Sequence, residues 1–534
     1  MSKRKQVRKN TATYNLTVSE VVDLAIQNHR SGNLQQAMTL YRKVLKVQPN
    51  NINALHLLGV IFAQQEDYTT ATDLIKQAIH HNNTVPIFYQ SLGNVLRGQG
   101  KSDEAIVQYR QALTLDPKHV ISHQNLLITL NCVGNVDLAT IFAEHQRFDQ
   151  QHALPLTAQA HQNDRTRERR LKIGYVSPDF WNHAVAHFIE PILVHHNREQ
   201  FEIYCYYNRA ERDEFTQRLQ QQADQWVDCV TLTDEALSTR IRQDQIDILV
   251  DLTGHNTDNR LLVFTRKPAP IQATYLGYPS TTGLSAIDYR ITDNYADPAP
   301  VADPYSVETL VRMPCSYFCY QPLKNSPAVN PLPALKNKYL TFGSFNNYSK
   351  VTTETVQLWA EVLKAIPTSK LLVKTKNFAD KHIRQAFIER FAQLGIEANR
   401  LILIGYIRSA QGHLRTYQQV DLGLDTYPYN GATTTCEALW MGVPVVTLVG
   451  ERHASRMGLS ILSALNLSEF IATTPEAYVA RCVEFANNIN ALKKWRQILR
   501  ETMQQSSLLD AVTFTNHLEV AYQQMWYRYI QETT

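Results

Sequence analysis

LDTYPYNGATTTCEALWMGVPVVTL, residues 424–448, holds a strand, a turn, a helix and a second strand. The apolar run closes at Asp425, and Pro428, Asn430 and Gly431 supply the turn. Thr433, Thr434 and Thr435 open a helix expected to run to Met441, with Gly442 ending it and VPVVTL forming the next buried strand. Helix N-termini present unpaired N–H groups and a partial positive charge. With threonine hydroxyls as further donors, Gly431, Thr433 and Thr434 read as a cradle for a diphosphate. A threonine run at this place otherwise reads as plain N-capping, and the strand–turn–helix setting with Gly431 and Glu437 favours the cradle. Glu437, one turn inside, puts a carboxylate where ribose hydroxyls would lie.

The same rhythm extends on both sides. YLTFGSF, KLLVKTK and RLILIGY precede the motif, and LKIGYVS, FEIYCYY, IDILVDL, QATYLG and DYRITD form an earlier set, with helical stretches between them. These are strands of doubly wound parallel sheets. The Pro-rich stretch 325–337 separates an N-terminal half, 169–330, from a C-terminal half, 336–534, which ends in an aromatic amphipathic helix at about 508–532. Two Rossmann-like domains facing each other across a cleft resemble the glycosyltransferase-B architecture, whose ligands lie at strand ends.

Other polar residues stand at such ends. In FGSFNNYSK, Lys350 is placed as counter-charge for a leaving diphosphate, and Asn346 and Asn347 stand beside it. In GYVSPDFWNHAVAHF, His183 and His187 lie four apart, as on one helix face. No third ligand or HExxH accompanies them, so His183 is assigned to the cleft and His187 to packing or support, with no metal. VDLTGH brings His255 to the same region, and Leu276, Gly277, Tyr278 and Pro279 follow another strand, with Gly277 permitting close approach of a sugar. His413 precedes the 424–448 motif by one helix and is placed against a nucleotide base.

The N-terminal third repeats every 34 residues. Ala25, Gly59 and Gly93 occupy its eighth position, Ala37, Ala71 and Ala105 its twentieth, Tyr41, Ile75 and Tyr109 its twenty-fourth, and Pro49, Asn83 and Pro117 its thirty-second. A fourth, weaker copy keeps Gly134 and Ala139. This pattern resembles the tetratricopeptide repeat: paired antiparallel helices with small residues at the crossing, a large one filling the gap between neighbouring repeats, and a superhelix with a concave peptide-binding face. The repeats are assigned to 15–150, a linker to 151–168, and a frayed basic tail to 1–14. A net charge of +4 over 534 residues gives no basis for nucleic-acid or membrane binding. No apolar run reaches the ~18 residues of a membrane span, and no apolar stretch follows the basic N-terminus as in a signal peptide. Seven scattered cysteines fit reduced thiols in a cytoplasm.

The repeats together with GYVSPDFWNH, RKPAPIQATYLGYP, FGSFNNYSK and NGATTTCEALWMGVPVVTL are similar to the protein O-linked N-acetylglucosamine transferases and their relatives, the SPINDLY proteins. The resemblance covers about 15 to 530 and implies an all-α tetratricopeptide superhelix followed by two Rossmann-like domains. It implies transfer of N-acetylglucosamine from UDP-GlcNAc to Ser or Thr of proteins held by the repeats, with no cofactor. It places the phosphate lysine on Lys350, the diphosphate threonines on Thr433 and Thr434, the ribose acid on Glu437, the nucleotide histidine on His413, the cleft histidine on His183, and sugar contacts on Leu276, Gly277, Tyr278 and Pro279. The animal transferases have His at Ala432, Tyr at Ser349 and Asp at Glu437, and a long insertion between the halves that this chain lacks. The TTTCE and VDLTGH segments are closer to SPINDLY, whose plant members use GDP-fucose, so a fucosyltransferase is the alternative. An inactive repeat scaffold would have an eroded Lys350 or threonine loop, and neither is eroded. Retaining enzymes of this architecture often carry two Glu eight apart; from Glu437 that place is Val445, which favours inversion.

Overall fold

A computed structural model describes residues 16–153 and 161–533. The basic tail assigned to 1–14 and residues 154–160 of the expected linker lie outside the described residues. Eight antiparallel helices come first: α1 (Val18–Arg30), α2 (Leu34–Val47), α3 (Ile52–Gln64), α4 (Tyr68–His81), α5 (Pro86–Gly98), α6 (Ser102–Leu115), α7 (Val120–Leu130) and α8 (Leu138–His152). Glycine at the eighth position has a steric cause. A Cβ on Gly59 would lie 2.8 Å from Ile75, and one on Gly93 would lie 2.5 Å from Tyr109. The large residue at position twenty-four therefore fills the crossing of its own repeat, not the gap between neighbours expected from the pattern. Helix α8 continues to His152, past the expected start of the linker, because its cap Asp137 and its buried Ile141, His145 and Phe148 carry the helical period through.

The first sheet has seven parallel strands in the order β3-β2-β1-β4-β5-β6-β7. They are β1 (Leu171–Ser177), β2 (Phe201–Tyr207), β3 (Gln225–Asp228), β4 (Ile248–Asp251), β5 (Ile271–Thr274), β6 (Tyr289–Asp293) and β7 (Thr309–Met313). The second has six, in the order β10-β9-β8-β11-β12-β13: β8 (Thr341–Ser344), β9 (Lys370–Lys374), β10 (Leu401–Ile404), β11 (Leu422–Leu424), β12 (Val445–Leu448) and β13 (Ile471–Ala472). The edge strands β3, β7 and β13 were not foreseen. Two of them carry exposed polar positions and the third is two residues long, so none shows a continuous apolar run. Strand order reverses between β1 and β4 and again between β8 and β11, the switch points at which such sheets bind ligands. The final helix, Ala511–Thr533, crosses back to the first half. There Tyr522 meets the Tyr175 hydroxyl at 3.1 Å, and Glu519 accepts from His196 at 2.9 Å and from the Asn197 amide at 2.7 Å.

The repeats are not suspended on a tether. Arg452 donates to the carbonyl of Leu130 at the end of α7 and to those of Val133 and Val136 in the turn that follows. Asn131 and His145 meet the Tyr278 hydroxyl at 2.9 and 2.8 Å. Asn377 donates to the Gly98 carbonyl at 2.7 Å, and Asp380 accepts from the Tyr68 amide at 3.2 Å. Both halves thus grip the helical domain, and α7 and α8 are packed between them. Among the described residues no helix is long and apolar enough to cross a membrane.

Candidate active site

Two buried carboxylates at the switch points shape the loops. At the end of β4, Asp251 accepts from the amides of Thr253 and Gly254 and from the Thr274 hydroxyl. Just past β11, Asp425 accepts from the amides of Thr426 and Gly431 at 2.9 and 2.7 Å and from the Thr447 hydroxyl at 2.8 Å. The second set folds 426–431 back on itself and presents the helix Thr433–Trp440 to the space between the halves. Its N-cap, Ala432, makes no side-chain bond, so no side chain masks the first-turn N–H groups. The Thr434 hydroxyl donates to Asn346 at 2.8 Å, tying this loop to the end of β8. A Cβ on Gly431 would sit 2.5 Å from the Thr434 hydroxyl and 2.8 Å from Asn346, so glycine is required by this closure. Thr435 turns inward and donates to the Gly431 carbonyl.

Beyond β8, Asn347 accepts from the Ser349 amide at 3.2 Å and so caps the short turn Tyr348–Lys350. Lys350 reaches the Asn430 carbonyl at 2.9 Å and lies 3.7 Å from the centre of the Tyr429 ring. Burial pulls its pKa down to about 8, with the neighbouring Asp425 acting the other way. Lys350, Thr433, Thr434 and Asn347 all line one cavity of about 690 Å³.

A smaller cavity of about 220 Å³ is lined by Glu437, His413 and His187, with Glu437 one turn along the same helix from Thr433. Glu437 is the fifth residue of the helix, past its first turn. The Lys374 ammonium stands 2.6 Å from His413 Nδ1, and an ammonium only donates, so Nδ1 accepts. The ring proton is then on Nε2, which donates to Glu437 Oε2 at 2.8 Å. Tyr417 donates to the same oxygen at 3.2 Å. Burial pushes the Glu437 carboxyl up, but His413, His187 and Tyr417 together hold its pKa below the usual value. One carboxylate oxygen is thus fully engaged, leaving Oε1 for a ligand. Lys374 was missed by the sequence reading, which took KLLVKTK only as a strand; its position at the end of β9, beside β8, was the available signal.

The first half supplies the opposite wall. His183 lines the large cavity but lies in the bend before the helix Ala186–His195, so it does not share a helix face with His187. Its Nδ1 is 3.4 Å from Asp179, burial drives its pKa down to about 4, and burial raises Asp179 to about 6. Neutral imidazole beside a buried carboxyl is a usable proton acceptor. His187 meets the Gln321 carbonyl at 3.1 Å and faces Glu437's cavity, so it is more than packing. Leu276, Gly277 and Pro279 line the large cavity, but Tyr278 does not: its ring is buried with its hydroxyl on the repeats. Gly277 is required for a different reason from the one expected, since a Cβ there would lie 2.0 Å from the Leu252 carbonyl. His255 is not a cleft residue. It is buried, meets the Thr282 carbonyl at 2.7 Å and stands edge-on to Phe148 of α8. Both misplacements have one cause: the sequence did not show that α7 and α8 would cover these loops. The repeats also contribute Tyr68, Asn94, Arg97 and Ile128 to the large cavity, which the 34-residue pattern could not single out.

The sequence model described as Glycosyl transferase family 41 matches residues 115–324 and 332–518, and a tetratricopeptide-repeat model matches 86–119. The first match begins before α7, in agreement with the packing of α7 and α8 into the catalytic halves. A protein described as a probable UDP-N-acetylglucosamine–peptide N-acetylglucosaminyltransferase SPINDLY from Hordeum vulgare is 40% identical over 421 residues, covering 78% of this chain and 44% of the relative. One described as the corresponding SEC protein of Arabidopsis thaliana is 34% identical over 369 residues, covering 67% of this chain and 37% of the relative. The chain therefore spans less than half the length of the curated relatives it matches. The solved structure of a mutant Thermobaculum terrenum O-GlcNAc transferase superposes with a TM-score of 0.91 at 34% identity, covering 97% of this chain and 98% of the other.

Proposed function

The chain belongs to glycosyl transferase family 41, and on that premise we propose that it transfers N-acetylglucosamine from UDP-GlcNAc to Ser or Thr hydroxyls of proteins, with inversion. The observation that carries this reading is the meeting of Lys350, Asn346, Thr434 and the uncapped start of helix Thr433–Trp440 in one cavity. The acceptor hydroxyl attacks the anomeric carbon as the bond to the diphosphate oxygen breaks. Charge then develops on that oxygen, where Lys350, the threonine hydroxyls and the helix N–H groups stabilise it. Glu437 Oε1 takes the ribose hydroxyls, and His413 lies with it beside the base. The free thiols of all seven cysteines suit a cytoplasmic setting.

Ala432 and Ser349 support the second reading. Both are small and both line the cavity or its lysine turn, where the animal transferases carry His and Tyr, so a GDP-fucose donor is the alternative. Incubating the purified chain with each donor and a Ser/Thr peptide mixture separates the two. UDP release with an N-acetylglucosaminyl peptide is expected; GDP release with a fucosyl peptide would reverse the assignment, and neither would overturn both.

Glu437→Ala is expected to weaken nucleoside diphosphate binding about ten- to a hundredfold, the worth of a charge-assisted hydrogen bond. The melting temperature should shift little. Calorimetric titration with UDP and GDP beside a thermal melt decides; unchanged affinity for both would remove Glu437 from the ribose site.

A further inference from the structure

We infer that Arg97, on the repeat-side wall of the large cavity, binds a carboxylate of the acceptor polypeptide close to the hydroxyl that is modified. This rests on the protein-acceptor reading above and adds a charge preference to it.

Arg97 stands in the last turn of α5 and lines the same cavity as Lys350 and Thr433. It is half-buried, and among the described residues its guanidinium makes no ion pair or side-chain hydrogen bond. Its place is fixed by neighbours on both sides. The next residue, Gly98, offers its carbonyl to Asn377 at 2.7 Å, and a Cβ on Gly98 would lie 2.4 Å from Tyr68. Beside it, Asn94 accepts from the Tyr109 hydroxyl at 2.8 Å, which leaves the Asn94 amide N–H groups to donate. A partly desolvated fork of donors without a partner favours a planar carboxylate.

The charges around the cavity are divided. Arg97, Lys350 and Lys376 lie on the wall formed by the repeats and the second half, with Lys376 3.8 Å from Glu66. Asp179 and Asp258 lie on the wall of the first half, where Arg209 sits 3.9 Å from Asp258 and over the Trp181 ring. Lys350 already faces the threonine loop for the diphosphate, whereas Arg97 projects from the domain that would carry the acceptor. An acceptor segment crossing the cavity is therefore best matched when it carries Asp or Glu on the repeat side of its Ser or Thr. The competing ligand is the donor's own diphosphate, and the competing structural role is complementing the carboxyl end of α5.

The test uses the full chain with UDP or GDP present and fluorescently labelled peptides, each with one Ser flanked on one side by Asp, Asn or Lys. Peptide affinity is read by anisotropy, and donor hydrolysis without peptide is read in parallel. Asp-flanked peptides are expected to bind roughly five- to twentyfold tighter than Asn-flanked ones, as for a half-exposed charged pair. Arg97→Ala should erase that difference, and Arg97→Glu should transfer the preference to Lys-flanked peptides, with donor hydrolysis and melting temperature unchanged. Equal binding of all peptides, no peptide binding at all, or loss of donor hydrolysis in Arg97→Ala would overturn the inference, the last by assigning Arg97 to the diphosphate. If no donor is hydrolysed while the Asp preference holds, the transferase reading fails and the carboxylate site stands.

Discussion

Lys350→Ala is expected to lower transfer by about 10²–10³-fold, the cost of removing one preorganised charge donor from a transition state. The geometry explains why so large an effect is expected from one exchange. The ammonium is held by the Asn430 carbonyl and the Tyr429 ring, so it is in place before a donor arrives. It shares the cavity with the uncapped helix, and the burial that lowers its pKa shows that its charge is partly desolvated there. The fold should not suffer, because the lysine is itself destabilised by burial. The pH response follows with a definite sign. A diphosphate prefers the protonated amine, and burial sets its pKa at about 8. Nucleoside diphosphate affinity is therefore expected to fall as pH rises through that value. A Lys350→Met variant should bind weakly with no step near pH 8. A Lys350→Ala variant with near-normal turnover and a normal melt would remove the residue from the chemistry.

Deleting residues 16–165 is expected to destroy the fold of the remainder, although the 34-residue period suggests a detachable arm. The loss would leave the buried Arg452 guanidinium without its three carbonyl acceptors and the Tyr278 hydroxyl without Asn131 and His145. Each of these hydrogen bonds, exchanged for water, is worth about 0.5–1.5 kcal/mol net, more for the charged guanidinium. The deletion also uncovers His255, which stands edge-on to Phe148. A shorter deletion ending before Pro86 keeps α5 to α8 and should fold and bind nucleotide. Circular dichroism melts and nucleotide titration of both truncated chains compare them. A cooperative melt and wild-type affinity in the chain lacking residues 16–165 would show that the repeats are separable after all.

These cases show what the sequence makes legible. The β8 and β11 ends and the helix Thr433–Trp440 were readable because strand, turn and helix signals fall within a few residues of one another. The pairing of Asn346 with Thr434, 88 positions away, was not, although both had been singled out locally. Lys374 was hidden in a strand, since nothing local says that its ammonium meets His413. Tyr278 and His255 were misplaced because their burial depends on a domain docked from the other end of the chain. Gly59 and Gly93 were assigned to packing correctly, yet the partner that requires glycine is visible only once the helices cross.

The proposed reaction is a direct in-line displacement at the cradle of Lys350 and helix Thr433–Trp440. It is tested most directly by determining, with NMR, the anomeric configuration of the sugar this chain attaches to a Ser or Thr peptide. An oxygen-linked sugar whose configuration is opposite to that in the nucleotide donor is expected. A linked sugar with the donor's configuration, or no linked sugar from either donor, would contradict it.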